Sequence, residues 1–189
     1  MDSYMMKALD KSTWDDFAAM VERNGGLFSG CWCTKFHPQD REAEECNRAY
    51  KERMVREEVA HAALVFAGDE AVAWAEYGTP EELPGIHHRK QYQEGMVTPP
   101  NYRITCIYVD KRHRSTGLAA VALRGALDLI ARAGGGLVEG YPQDTPGKKM
   151  NPSFLYNGTR HLYEEAGFTY DRPKGKNHCV MTMTVEAAS

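Results

Sequence analysis

The sequence has neither the long apolar segments nor the excess of basic residues that mark several large classes of protein, and we expect no secretory leader. No apolar run approaches the roughly 20 residues that a membrane-spanning helix needs, so we expect no membrane partner. Lysine and arginine number 23 against 26 aspartates and glutamates, a net charge of -3, which argues against general nucleic-acid binding. Residues 1–7 contain no basic segment followed by an apolar core. We therefore expect a cytoplasmic protein.

Cysteine is also sparse, at five residues, which is too few for a disulfide-stapled scaffold and fits a reducing compartment. Cys31 and Cys33, with His37 and Cys46 following, could be considered as zinc ligands. Their spacing is not that of a common finger or ribbon, and no second close cysteine pair is present. We expect packed thiols and no metal site.

The positive features of the composition indicate one soluble domain over residues 1–189. Hydrophobic residues make up 42% and charged residues 26%, the mixture of an ordinary globular protein. Hydrophobic periodicity predicts strands over residues 4–9, 62–67, 71–77, 104–109, 137–141, 168–170 and 178–185. It predicts helices before Asn24 and over residues 40–59, 86–93, 116–133 and 153–166. Early hairpins and a later strand–helix–strand crossover together predict an α+β fold, in which helices and strands are mixed along the chain (mixed α/β).

The strand predicted over residues 104–109 has a regular alternation. If it holds throughout, Ile104, Cys106 and Tyr108 face one side of the sheet. The other side then takes Thr105, Ile107 and Val109.

A short basic turn follows this strand and leads into the longest predicted helix. The turn contains Lys111, Arg112 and Arg114, and Gly117 opens the helix. Backbone N–H groups, a helix N-terminus and cationic side chains therefore meet at one point, which suits a phosphorylated ligand. A solvated basic turn with a packing glycine is the alternative.

Two motifs give this turn a family resemblance. Arg114-Ser-Thr-Gly-Leu-Ala119 matches the pattern Arg/Gln-x-x-Gly-x-Gly/Ala and resembles the acetyl-CoA-binding motif of the GNAT (Gcn5-related N-acetyltransferase) superfamily. Leu162-Tyr-Glu-Glu-Ala-Gly-Phe168 resembles the end of that superfamily's last helix. Asn157 lies near the family's asparagine position, one residue closer to the tyrosine than is usual.

The resemblance implies a central, mostly antiparallel sheet flanked by helices, with a strand–helix–strand core that binds acetyl-CoA. It implies transfer of an acyl group, in the first place acetyl, to the amine of a small molecule by direct attack. The residues it assigns to acetyl-CoA are Ile107, Tyr108, Val109, Arg112, Arg114, Ser115, Thr116, Gly117, Leu118, Ala119 and Asn157.

The resemblance also implies catalytic roles. Tyr163 matches the tyrosine that protonates the leaving thiolate in many members, and its phenol suits that step; anchoring the last helix in the core is the alternative role. Glu76 and Glu139 are candidate general bases, or else structural carboxylates.

The acceptor is the least determined partner. Trp32 is a candidate for the acceptor wall, or else it closes the end of the core. Acetylation of a protein lysine or N-terminus, and a CoA-binding regulatory module without turnover, remain alternatives. A homodimer is compatible with the resemblance.

Overall fold

The structure is a computed structural model that describes residues 4–27, 30–41, 45–144 and 156–189. Its strands are β1 (Tyr4–Ala8), β2 (His61–Ala67), β3 (Glu70–Gly78), β4 (Tyr102–Val109), β5 (Gly136–Gly140), β6 (Thr169–Lys174) and β7 (His178–Val185). Its helices are α1 (Trp14–Arg23), α2 (Asn47–Arg56), α3 (Arg89–Glu94), α4 (Leu118–Arg132) and α5 (Arg160–Glu165), with a 3-10 turn at Lys111–His113.

The seven strands form one sheet in the order β1-β2-β3-β4-β5-β7-β6. All neighbours are antiparallel except β4 and β5, which are parallel and are joined through α4. This arrangement confirms the predicted α+β class and the mostly antiparallel sheet. The hairpin between β2 and β3 is also confirmed, with Ala63 opposite Ala75.

Helices cover both faces of the sheet. The α1 and α2 side buries Phe17, Tyr50 and Trp74 with Cys106. The α4 side buries an alanine-rich stripe of α4 against β2, β3 and β4. Among the described residues, no helix combines the length and apolar character of a membrane span.

The alternation predicted for β4 is wrong at one residue. Glu76 and Tyr77 are adjacent on β3, whereas their partners Cys106 and Ile104 are two apart, so Thr105 is an extra residue in β4. A β-bulge of this kind shifts every later side chain to the opposite face. Ile104 therefore packs on the α4 side, whereas Cys106 packs on the α1 side.

Two predicted helices are shorter in the structure. The helix predicted over residues 40–59 begins at Asn47, because Cys46 before it has an extended backbone with φ of -73° and ψ of 161°. Residues 42–44 of that prediction lie outside the described residues. The helix predicted over residues 153–166 begins at Arg160, since the Thr159 side chain accepts a hydrogen bond from the Leu162 N–H and caps it. Residues 153–155 of that prediction lie outside the described residues.

Candidate functional site

The strands β4 and β5 separate at the centre of the sheet. They pair only from Tyr102 opposite Val138 to Ile104 opposite Gly140. From there to Val109, β4 stays paired with β3 but no longer with β5. The Thr105 bulge lies where the pairing stops, and bulges bend and twist a strand. Past it, the Ile107 N–H donates to the Tyr156 carbonyl at 2.6 Å instead of to β5.

A cavity of about 340 Å³ opens beside this part of β4. The basic turn, the start of α4 and the segment around Tyr156 form its other walls. Its lining residues are Ile107, Tyr108, Val109, His113, Arg114, Ser115, Gly117, Leu118, Ala119, Tyr156 and Gly158. The structure thus brings together eight of the eleven residues predicted to bind acetyl-CoA.

The backbone of the turn is shaped for an anion. Ser115 and Gly117 have φ of 62° and 81°, and an added Cβ on Gly117 would have no atom within 4 Å. No side chain caps α4, so the first N–H groups of this helix keep their hydrogen-bonding capacity. Left-handed residues followed by a helix N-terminus point successive N–H groups toward one place, where a phosphate would be bound.

The remaining three predicted cofactor residues lie outside the lining. Arg112 forms ion pairs with Asp110 at 3.0 Å and Glu70 at 2.8 Å. The Thr116 hydroxyl donates to the His113 carbonyl. Asn157 is buried between two lining residues, and its Oδ1 has no hydrogen-bond partner among the described residues. Arg112 and Thr116 thus order the turn itself, and their contact with a ligand stays a prediction.

Tyr163 lies under the end of β5. Its ring occupies the space that a side chain at residue 140 would take, since a Cβ on Gly140 would lie 2.1 Å from the Tyr163 Cε1. The side chain is fully buried, and within the described part of the chain its hydroxyl has no partner. Burial raises the pKa of this phenol, so the hydroxyl keeps its proton at neutral pH.

These unpartnered atoms allow a test of whether acetyl-CoA fits the site. Buried polar groups are normally hydrogen-bonded, and an exception needs an explanation. Among the described residues, the Tyr163 hydroxyl and the Asn157 Oδ1 are two such exceptions. Neither residue lines the cavity, but both adjoin its lining residue Gly158, and the cavity ends in a turn shaped for an anion. A ligand with a pyrophosphate at one end and amide and thioester groups along its length suits that arrangement.

Glu76 belongs to a buried polar cluster on the α1 side of the sheet. Its carboxylate accepts from the Lys51 ammonium at 2.6 Å and from the Thr105 hydroxyl at 2.8 Å. His37 Nε2 lies 2.9 Å from the Lys51 Nζ and 3.1 Å from the carboxylate. Burial alone would raise the pKa of Glu76, but Lys51 and His37 outweigh it and lower the pKa to about 2.

Glu139 belongs to a second buried cluster, centred on β5. The hydroxyls of Tyr92 and Tyr141 donate to it at 2.7 and 2.9 Å, and the Arg172 guanidinium lies at 3.3 Å. Neither Glu76 nor Glu139 lines the described cavity. The structure therefore places neither candidate base on the cavity wall, and a role as general base for either residue stays a prediction.

Trp32 packs within the α1 side of the core. Its ring stacks on Trp14 with centroids 6.1 Å apart and contacts the edge of Phe17 at 6.5 Å. The side chain is 7% exposed and has φ of 48°, which is uncommon for a bulky residue. A contact with the acceptor stays a prediction.

Sequence reasoning missed three residues of the cavity wall. His113 stands inside the basic turn, and Tyr156 and Gly158 flank Asn157. The Asn157-Gly158 pair is a turn signal that the helix predicted over this segment overrode. No sequence signal marks Tyr156 as a neighbour of Ile107, since their contact depends on how β4 and β5 separate.

Comparison with known proteins identifies a family to which this sequence is similar. Residues 19–141 match the model of the Acetyltransferase (GNAT) family. A comparison with curated proteins gives no significant match.

Solved structures show the same fold at low sequence identity. A putative acetyltransferase of the GNAT family from Desulfovibrio desulfuricans aligns over 97% of this chain and 99% of its own, with a TM-score of 0.55 and 15% identity. An N-acetyltransferase from Staphylococcus aureus Mu50 aligns over 97% and 99%, with a TM-score of 0.53 and 13% identity. The ribosomal-protein-S18-alanine N-acetyltransferase from Escherichia coli aligns over 99% and 97%, with a TM-score of 0.50 and 12% identity.

Proposed function

The chain belongs to the acetyltransferase (GNAT) family and is an acyltransferase, and on this basis we propose that it acetylates the amine of a small molecule with acetyl-CoA as donor. The observation that carries the proposal is the cavity between β4 and the start of α4, with its left-handed turn. Close to it are two buried polar atoms that have no partner among the described residues. The donor supplies a thioester carbonyl that an amine can attack.

The turn of residues 114–119 would hold the donor's pyrophosphate. Its N–H groups and the α4 dipole supply the attraction, and the Arg114 side chain adds a positive charge at the cavity wall. Arg112 and Asp110 contribute indirectly: their ion pair and the bond from the Arg112 N–H to Asp110 at 2.9 Å fix the path of the turn.

The exposed edge of β4 would hold the donor's arm. The Ile107 N–H points away from β3, and the Asp110 N–H points toward it, where it donates to Val72 at 2.8 Å. Strand alternation then directs the Val109 N–H to the same side as that of Ile107, toward the cavity. The Ile107 N–H polarises a thioester only after its bond to the Tyr156 carbonyl opens.

Tyr163 would supply the proton that the departing thiolate takes up. The phenol is protonated at neutral pH, as an acid must be, although burial raises its pKa and so makes it a weaker acid. Its hydroxyl has no partner in the described residues to compete for that proton. For the base that takes the amine's proton, we propose Glu76 or Glu139. The pH profile of kcat/KM in Glu76→Gln and in Glu139→Gln tests this role.

A small acceptor is supported by the aromatic side chains packed beside Tyr156 of the cavity wall. The rings of Phe36 and Tyr156 lie 6.2 Å apart, and Phe36 also contacts the His87 ring at 5.8 Å. An aromatic wall of this kind admits a single amine more readily than a folded protein surface.

The test is release of CoA thiol from acetyl-CoA over a panel of small amines, aminoglycosides, and lysine or N-terminal peptides. We expect release with small amines. Release with peptides alone would replace the small-molecule acceptor by a protein one. Binding of acetyl-CoA without release from any acceptor would favour a regulatory module.

A further inference from the structure

Lys174 is a buried ammonium group that has no acidic partner in the part of the chain that the structure describes. Its side chain is 2% exposed, and its Nζ donates to the His87 carbonyl at 3.2 Å and lies 5.3 Å from the centre of the Tyr141 ring. Among the described residues, no carboxylate lies within 4.0 Å of it. The other buried lysine of the described residues, Lys51, has the Glu76 carboxylate at 2.6 Å.

A buried charge without a counter-charge is costly, so an unpaired one needs an explanation. Burial lowers the pKa of Lys174 to about 8, although Cys179 and Glu139 act in the opposite direction. At neutral pH the group is therefore still mostly protonated. Glu139 does not neutralise it directly, since that carboxylate is bound by Arg172, Tyr92 and Tyr141.

Two histidines are neighbours of Lys174, and a third lies against the next residue of the chain. His87 supplies the carbonyl that Lys174 bonds, His178 faces Lys174 in the β6–β7 pairing, and His88 lies against Gly175 of the intervening turn. Burial and the neighbouring cations lower the pKa of His87, and they lower that of His178 to about 4. These two rings are therefore neutral at pH 7 and offer N–H donors beside one positive charge.

Contacts through intermediate residues connect Lys174 and these histidines to the cavity that we assign to the donor. On one side, Gln143 pairs with His178 and donates its N–H at 3.0 Å to the carbonyl of Gly158, a cavity-lining residue. On the other side, His87 contacts Phe36, which contacts Tyr156 of the cavity wall. A ligand bound at Lys174 would thus extend toward the separated ends of β4 and β5.

From this placement we propose that Lys174, with the rings of His87, His88 and His178, binds an anionic group of the acceptor, so that the substrate is an amine that also carries a carboxylate or a phosphate. The inference rests on the proposed function, because it takes the group near the cavity to be the acceptor side. An ammonium with N–H donors around it is suited to either anion.

The first test measures binding directly. Protein labelled with ¹³C in its histidine rings is titrated with inorganic phosphate and, separately, with a neutral-side-chain amino acid. We expect saturable shifts of the His87, His88 and His178 signals in the wild type. The control variant Lys176→Met, which changes an exposed lysine of the same hairpin turn, should show the same shifts. Lys174→Met, which removes the charge but keeps a similar length, should lose them. Absence of shifts with both anions would overturn the proposal.

The second test measures acetyl transfer to paired acceptors: amino acids against their amides, and phosphoethanolamine against ethanolamine. Each acceptor is compared with itself in wild type and Lys174→Met, so intrinsic differences in amine reactivity cancel. We expect kcat/KM for the anionic member to fall about 10- to 100-fold more than for the neutral member. The pair that shows the larger effect identifies carboxylate or phosphate.

The two tests separate this inference from the proposed function. Shifts that depend on Lys174, without turnover of any amine, would support the anion site and contradict the proposed acetyl transfer. Turnover with equal losses for anionic and neutral acceptors in Lys174→Met would support acetyl transfer and overturn the anionic acceptor.

Discussion

The Lys51 ammonium of α2 lies 2.6 Å from the Glu76 carboxylate of β3, and each side chain is 1% exposed. The same carboxylate bonds the hydroxyl of Thr105, the extra residue of the β4 bulge. One buried ion pair therefore connects a helix to the point where β4 leaves β5. Because the cavity begins at that point, this pair supports the site from outside it.

Removing one member of this pair should destabilise the protein strongly. Lys51→Met leaves the Glu76 carboxylate buried without its closest positive charge, and we expect the free energy of unfolding to fall by about 3–5 kcal/mol. The double variant Lys51→Met, Glu76→Leu should recover much of the loss, since no charge then remains buried. Urea denaturation of the three proteins measures this. Equal stability of Lys51→Met and wild type would contradict the buried pair.

The same pair should make the protein sensitive to acid. The pKa of Glu76 is lowered from 4.5 to about 2, so its contribution is fully present above pH 4.5 and is lost as the pH falls toward 2. The shift corresponds to about 3 kcal/mol. Denaturation at pH 7, 4 and 3 should show a steeper loss in the wild type than in Glu76→Gln. Parallel profiles would mean that Glu76 is not held as a carboxylate.

The Tyr163 hydroxyl should matter for turnover and not for folding. It is buried without a partner in the described residues, so Tyr163→Phe should leave the free energy of unfolding unchanged or raise it by up to about 1 kcal/mol. If the phenol protonates the leaving thiolate, kcat should fall by about 100-fold or more. Denaturation and steady-state kinetics on the same protein decide. Full kcat in the phenylalanine variant would leave Tyr163 only its role in the core.

Residue 140 should have to be glycine, because the Tyr163 ring fills the space that a side chain there would need. A methyl group there would lie 2.1 Å from the Tyr163 Cε1, and we expect Gly140→Ala to cost about 1–3 kcal/mol. The cost should be smaller in a Tyr163→Leu background, because the ring that clashes is gone. A double-mutant cycle by denaturation measures the coupling, and additive effects would rule out this contact.

The sequence predicted most of the sheet, because its strands carry clear apolar patterns and its turns carry glycine. Residues 62–67 and 71–77 pair as expected, and the strand–helix–strand crossover around α4 forms where the motif predicts it. The β4 alternation failed at Thr105, since a bulge is stabilised by partners distant in sequence, here Glu76. Local periodicity does not contain that information.

The site was predictable to a similar degree. The turn of residues 114–119 is a local structure, so its residues fall on the cavity as the motif implies. Glu76 was a candidate base or a structural carboxylate, but its partners His37 and Lys51 come from other segments and could not be predicted from β3 alone. Lys174 gave no sequence signal, since its burial, with no carboxylate near it among the described residues, arises only when β6, β7 and the segment around His87 meet.

The most direct test of the donor site is calorimetric titration of acetyl-CoA into Gly117→Glu and a matched control. Gly134→Glu places the same residue at another positive φ with open space, at the far end of α4, about 22 Å away along its 15 residues. We predict that the wild type and Gly134→Glu bind acetyl-CoA equally. Gly117→Glu, folded by circular dichroism, should bind at least about 100-fold more weakly, a loss of about 2.7 kcal/mol. Wild-type affinity in Gly117→Glu would show that the turn of residues 114–119 does not bind the pyrophosphate.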